Sequence, residues 1–150
     1  MSVSVTGGDE LARDLLALGR DMEDALEKGV FITAQQVRTT AIKSIQQSSF
    51  GTWVKRSRQG GGTYDHIAAA EGSAPNTDTG KLVNSIAVEM SKQKIEAEVG
   101  SNLDYSAYLE LGTKDMEPRP WLAPAVNSNI DNLRENIGKA IMLAIRENAK

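Results

Sequence analysis

The residue types that most often carry chemistry are scarce in this chain of 150 residues. There is one histidine, His66, and no cysteine, which excludes paired-histidine and thiolate metal sites. Asp65 precedes His66 in a glycine-rich stretch, and such a pair could act as a general base. Because no motif marks a nucleophile for that base to activate, a solvated loop pair is the simpler interpretation.

Three other patterns could support a binding or catalytic site, and each has a simpler explanation. The three glycines at 60–62 lack the Gly-Lys-Ser/Thr ending of a phosphate loop. Residues 77–80, Thr-Asp-Thr-Gly, could form an anion nest, but a helix cap accounts for them more simply. Glu89, Glu96 and Glu98 fall on the outward face of a predicted hairpin, where charges are common. We therefore expect no enzyme, no metal and no cofactor.

A basic cluster is the best candidate for contact with an acidic partner. Lys55, Arg56 and Arg58 lie in a flexible stretch between Trp53 and Tyr64. Basic groups interleaved with aromatic residues can follow phosphates and stack on bases, so nucleic-acid binding is one interpretation. Neutralising the acidic first helix of a neighbouring subunit is the other, and the sequence leaves both open.

The charge distribution favours self-association. Residues 1–30 carry seven acidic and three basic groups, whereas residues 31–70 carry five basic groups and one acidic group. Such a dipolar layout suits electrostatic docking between copies better than uniform nucleic-acid binding. The N-terminus turns acidic at once and no apolar run reaches the roughly 20 residues that span a bilayer. We expect a single intracellular domain over residues 1–150, without membrane contact.

Two long helices are predicted from apolar spacing. Steps of three and four residues place one stripe on a helix from Asp9 to about Gln47 and another on a helix from Leu122 to about Asn148. The first stripe is Leu11, Leu15, Leu18, Met22, Leu26, Val30, Thr33, Val37, Ala41 and Ile45. The second is Leu122, Val126, Ile130, Leu133, Ile137, Ile141 and Ala144.

Shorter elements are predicted between these helices. Alternation over Ile86–Met90 and Ile95–Val99, with a turn at 91–94, indicates a β-hairpin. A short helix over 80–85 is capped by Thr79, and another over 105–111 ends at Gly112. A short strand is expected at 52–54, a mobile loop at 56–76 and a flexible segment at 1–8. The fold class is α+β: a small antiparallel sheet, the central hairpin, packed against two long helices, with a long Gly-rich loop.

Two stretches together resemble a known family. One is PNTDTGKLVNSI, which opens the hairpin, and the other is YSAYLELGTKDMEPRPWLAPAV, which leads into the last helix. In this order they resemble the tail-completion, or head–tail joining (neck), proteins of long-tailed bacteriophages and prophages. The signature residues are Thr79, Gly80, Leu82, Ser85, Ile86, Tyr105, Tyr108, Leu109, Glu110, Gly112, Thr113, Arg119, Pro120, Trp121, Leu122, Pro124 and Ala125. Trp121 stands where members of the family often have phenylalanine.

The resemblance implies a non-enzymatic virion protein. It would form a homo-oligomeric ring, commonly hexameric in such tails, at the head-proximal end of the tail tube. The implied partners are the tail-tube protein and head connector proteins, with incidental contact to packaged DNA. Lys55, Arg56 and Arg58 lie outside the two stretches, and either DNA or a neighbouring subunit is the contact expected for them. Assembly would take place in the cytoplasm of the bacterial host. A head-side neck protein or a minor tail assembly protein is the alternative within the same machine.

The Arg-Pro-Trp corner before the last helix is expected to be structural. Pro120 fixes the backbone, and Pro124 fits the first turn of the helix, where a missing N–H costs little. Trp121 is expected to fill the junction between hairpin and helix, with a partner-facing position as the alternative. Arg119 is expected to pair with Glu110 across the loop, which would hold the short helix to the start of the long one.

Overall fold

The fold consists of two long helices with two small antiparallel sheets and two short helices between them in the chain. The computed structural model describes residues 8–47, 51–91 and 93–148. In chain order the elements are α1 (Gly8–Gln46), β1 (Gly51–Ser57), β2 (Thr63–Ala69), α2 (Lys81–Ser85), β3 (Ile86–Met90), β4 (Ala97–Ser101), α3 (Asp104–Leu111) and α4 (Ala123–Asn148). The flexibility expected for residues 1–8 concerns, apart from Gly8, residues outside this description. The predicted α+β class is confirmed.

Helices α1 and α4 pack antiparallel, and their contact is partly polar. Asn129 donates from Nδ2 to Thr40 Oγ1 at 3.1 Å, and Asn136 donates from Nδ2 to Thr33 Oγ1 at 3.0 Å. Gly29 permits close approach, since a Cβ placed there would lie 3.0 Å from the Cα of Ile137. Buried polar groups are tolerated here because each has a partner.

The buried face of α4 matches the predicted stripe at Ala144 but differs from it in the first half of the helix. Its buried residues are Ala125, Asn129 and Ala144, whereas Val126 and Ile130 from the predicted stripe remain 41% and 48% exposed. Small residues and asparagines face α1 because they allow the two backbones to approach and bond. In the first half of α4, apolar spacing alone therefore pointed to a neighbouring face of the same helix.

The core lies at the C-terminal half of α1. One cluster joins this half to α2, the start of β3 and the start of α4: Val37, Ala41, Ile45, Leu82, Ile86, Trp121 and Ala125. Ala41 and Ile45 are 0% and 1% exposed, so the α1 stripe is correct in this half. Burial of such side chains stabilises the fold by about 1.5–3 kcal/mol each for the larger ones.

The segment predicted as a mobile loop contains a second hairpin. Strands β1 and β2 pair antiparallel from Gly51↔Ala69 to Ser57↔Thr63, so pairing extends well beyond the strand expected at 52–54. Gly60, Gly61 and Gly62 all have positive φ and make the turn, which glycine adopts without strain. Because β1 is exposed almost throughout, it lacks the apolar alternation that marks a half-buried strand.

The central hairpin has the predicted apolar face, but its connection is longer than the turn expected at 91–94. Val88 pairs with Val99 and Met90 with Ala97, and both pairs are partly buried. Ile95 lies outside β4 and is 40% exposed. Both sheets have two strands, and among the described residues no helix has the length and apolar content that crossing a membrane requires.

Candidate assembly site

Glu110 closes the corner between α3 and α4. Its Oε2 accepts the backbone N–H groups of Trp121 and Leu122 at 2.8 and 2.9 Å, and its Oε1 accepts that of Ala123 at 2.8 Å. These N–H groups open α4 and have no partner within the helix. A carboxylate is favoured there because the N-terminal end of a helix carries a partial positive charge. We call this set of contacts the corner clamp.

The predicted Arg119–Glu110 ion pair is wrong, because the carboxylate of Glu110 accepts hydrogen bonds from the backbone at the N-terminus of α4. Arg119 instead donates from Nε to the carbonyl of Ala69 in β2 at 3.1 Å, and its backbone N–H donates to the carbonyl of Leu109 at 2.7 Å. The residue therefore ties the corner to the end of the first hairpin. The two signature residues stabilise the same corner through different partners.

Trp121 and Gly112 hold the two sides of the corner. Trp121 is 3% exposed and its indole Nε1 donates to the carbonyl of Ser106 at 3.4 Å. Gly112 ends α3 with φ of 76°, and a Cβ there would lie 2.8 Å from the carbonyl oxygen of Met116. Only glycine meets both demands. Pro124 lies in the first turn of α4, where no N–H is required.

The two signature stretches meet around one open groove. It has a volume of about 570 Å³ and lies between β2, residues 75–80 and α3; we call it the assembly groove. From the first stretch it receives Thr79, Gly80 and Leu82, and from the second Tyr105, Tyr108, Thr113 and Arg119. Residues that are 23 or more positions apart in the chain thus share one surface.

Gly80 and Ser85 lie at the two ends of α2, and Gly80 lines the groove. Gly80, not Thr79, is the N-cap residue of α2, with φ of 75°, while Thr79 Oγ1 accepts the N–H of Lys81 at 3.5 Å. Ser85 and Ser101 share a hydrogen bond at 2.7 Å, which joins the end of α2 to β4. Ile86 is 2% exposed and belongs to the core.

Asp78 organises the basic side of the groove. The hydroxyl of Tyr64 donates a hydrogen bond to Asp78, and Arg56 and His66 each lie 3.9 Å from its carboxylate. The hydrogen bond to Asp78 is the main cause that raises the pKa of Tyr64 above its ordinary value of 10.0. Burial, followed by the charge of Asp78, raises the pKa of Tyr105. The sequence singled out Asp78 only as part of a helix cap.

The general base considered for Asp65 and His66 is not formed as a pair, and both residues lie in β2 instead of the loop expected for them. Successive residues of a strand point to opposite faces, so His66 faces the groove beside Asp78 while Asp65 is exposed on the other face. Lys55, the register partner of Asp65, lies on that outer face as well, and Arg56 lies on the groove side. Arg58 lies over the ring of Tyr64, 5.7 Å from its centroid.

No metal site emerges in the described part of the chain, where no three His, Asp or Glu side chains group to hold an ion.

The comparison with protein families gives a positive result. Residues 9–112 match the HK97-gp10-like family, described as "Bacteriophage HK97-gp10, putative tail-component". The chain belongs to this family.

Membership in the HK97-gp10-like family makes the chain a bacteriophage tail component, with a place in the virion. It confirms the resemblance to phage tail and neck proteins. The matched range includes the groove residues from Thr79 to Tyr108 and the clamp residue Glu110, and it ends before Arg119. Comparisons with curated proteins and with solved structures found no match.

Proposed function

We propose that this HK97-gp10-like chain is a non-enzymatic ring protein at the head-proximal end of the tail, where it joins tail to head. In this proposal copies of the chain contact one another, the tail-tube protein and the head connector proteins, after assembly in the host cytoplasm. The observation that carries the proposal is a pair of unlike exposed surfaces at opposite ends of α1. Unlike surfaces that meet head to tail generate rings when the rotation closes.

The first surface is the N-terminal part of α1. Leu15 and Leu16 are 59% and 68% exposed, and residues 9–27 carry seven acidic and two basic groups. The second surface is the β1–β2 hairpin with the adjoining groove, where Trp53 is 69% exposed and the basic cluster is concentrated. Apolar residues beside charges of opposite sign suit association between copies.

Particles assembled without the protein test this function. We expect electron micrographs to show free heads beside tails with unfinished ends, and complementation with the intact gene to restore joined particles. Complete tails beside heads that lack a finished connector would indicate a head-side neck protein instead. Normal joined particles would refute a role in joining.

Contact with packaged DNA is a second candidate role, favoured by the exposure of Lys55, Arg56 and Arg58 on one hairpin. Exposed cations near an exposed indole can bind the phosphate backbone without sequence preference. We expect such binding to weaken steeply with salt and to be lost when all three residues are changed to alanine. The absence of a shift with generic DNA at low salt would eliminate it.

A further inference from the structure

We propose that the assembly groove of one subunit receives the N-terminal end of α1 from the next subunit. The occupant is therefore a second copy of this chain, and the inference depends on the proposed ring. It goes further by naming the two surfaces in contact.

The N-terminal end of α1 is a helix segment that continues beyond its partner. Helix α4 ends at Asn148, whose side-chain amide donates to Asp21 at 2.8 Å. Toward the N-terminus of Asp21, the stripe that packs on α4 continues through Leu18 and Leu15. Leu15 is 59% exposed, and its neighbour Leu16 is 68% exposed. A regular amphipathic helix thus presents apolar side chains with nothing from α4 to cover them.

The groove has the chemistry that such a helix requires. Its floor is apolar and includes Ile45, Leu82 and Leu109. Tyr105 and Tyr108 line it while remaining 40% and 58% exposed. Large aromatic side chains beside an apolar pocket are typical anchors of protein interfaces. A helix laid into such a groove is a common mode of recognition.

Charge favours the same pairing. Three cationic side chains line the groove, Arg56, Lys81 and Arg119, against one carboxylate, Asp78. Asp78 already accepts a hydrogen bond from the hydroxyl of Tyr64. The incoming segment is acidic, with seven acidic and two basic groups over residues 9–27. Opposite charges at the two surfaces would steer the encounter and fix its orientation.

A single chain cannot make this contact itself. Ile45 lies in the floor of the groove, near the C-terminal end of α1. Leu15 is on the same uninterrupted helix, and the rise of 1.5 Å per residue separates the two by about 45 Å. An N-terminal end of α1 that occupies the groove must therefore come from another copy, whose own groove remains available for the next.

Engineered cysteines test the contact directly, because the native chain has none. Leu15→Cys with Tyr108→Cys should form disulfides between subunits under mild oxidation, since one side chain enters the groove that the other borders. We expect a ladder of covalent oligomers, from purified protein and from assembled particles. The control pair is Leu15→Cys with Glu89→Cys, because Glu89 is exposed on β3 and does not line the groove. It should remain monomeric on a denaturing gel.

Serine substitutions in the N-terminal part of α1 provide a second measurement that does not depend on a cross-link. Leu15→Ser with Leu16→Ser should weaken self-association by about tenfold or more in sedimentation equilibrium, while the melting temperature stays close to wild type. Met142→Ser is the matched control, since Met142 is 73% exposed on α4 and should have no comparable effect.

The outcomes separate this contact from the ring itself. Oligomers that form without the Leu15–Tyr108 ladder, or that tolerate the serine pair as well as the control, would overturn the contact and leave the ring intact. An equally strong ladder from the Glu89 control would also overturn it, because the cross-links would then be collisional. A chain that is monomeric in solution and in particles would overturn both proposals.

Discussion

Replacing Glu110 with alanine removes the corner clamp and leaves three N–H groups at the start of α4 without their acceptor. Loss of a helix N-cap costs about 0.5–2 kcal/mol, and loss of the carboxylate at the positive end of the helix adds about 0.3–1 kcal/mol. The N–H of Ala123 is exposed and regains water, which lowers the total. We expect Glu110→Ala to reduce the free energy of unfolding by about 2 kcal/mol.

Urea unfolding followed by circular dichroism measures this change. For a chain of this size a loss of about 2 kcal/mol corresponds to a melting temperature lower by about 4–8 °C. Glu110→Gln keeps one acceptor oxygen without the charge, so about half of the loss is expected. Glu110→Ala should also move the fluorescence emission of Trp121, whose backbone N–H donates to Glu110, to longer wavelength. This is measured in a Trp53→Phe background, where Trp121 is the one remaining tryptophan.

Glu117→Ala is the matched control for the loss of a negative charge. Glu117 lies in the same loop, is exposed, and has no hydrogen bond or ion pair among the described residues. Its replacement should change stability by less than about 0.5 kcal/mol. If Glu110→Ala were no more destabilising than this control, the clamp would not hold α3 to α4 and the account of the corner would be wrong.

Three further predictions address packing and protonation. Gly19→Ala should raise the free energy of unfolding by about 0.5–1 kcal/mol, because nothing lies within 4 Å of the added Cβ. Gly29→Ala should lower it, because the added Cβ would press on the backbone of α4 at 3.0 Å; a gain at both positions in thermal melts would contradict the close helix approach. Trp121→Ala should cost about 3–5 kcal/mol by leaving a cavity in the core, and an unchanged urea midpoint would exclude its packing role. Asp78→Ala should lower the pKa of Tyr64 toward 10.0, measured by NMR titration of the tyrosine ring carbons. In the native protein the Tyr64–Asp78 hydrogen bond contributes fully below the ordinary pKa and is lost as the pH rises through the raised one. If the pKa of Tyr64 were the same in Asp78→Ala, Asp78 would not be the cause of the raised pKa.

Helical periodicity carried most of the predictable information. The bounds of α1 and α4 follow from apolar steps of three and four residues, and the predicted ends at Gln47 and Asn148 lie within a residue of those observed. Alternation located β3, and Gly112 marked the end of α3. These signals are local, so a single sequence is enough to detect them.

The first hairpin could not be predicted in the same way. Glycine and polar residues between 56 and 76 are typical of a loop, and the strand signal was limited to 52–54. The pairing of β1 with β2 is held by backbone hydrogen bonds and the three-glycine turn, with little burial along β1. A strand that buries little leaves no apolar pattern in its sequence.

Contacts between residues that are far apart in the sequence could not be predicted either. Arg119 and Glu110 both contact the corner between α3 and α4, whereas opposite charge suggested that they pair with each other. In the structure the carboxylate of Glu110 accepts hydrogen bonds from backbone N–H groups, and the guanidinium of Arg119 donates to the carbonyl of Ala69. Backbone donors and acceptors are present at every residue, so side-chain chemistry alone does not reveal which of them lies within reach.

A reconstruction of the neck of intact particles by electron cryomicroscopy tests the central claim most directly. The account predicts a closed ring of copies of this chain between the tail tube and the head connector. Location of the chain at the distal end of the tail, or as isolated copies without contact to one another, would contradict the account.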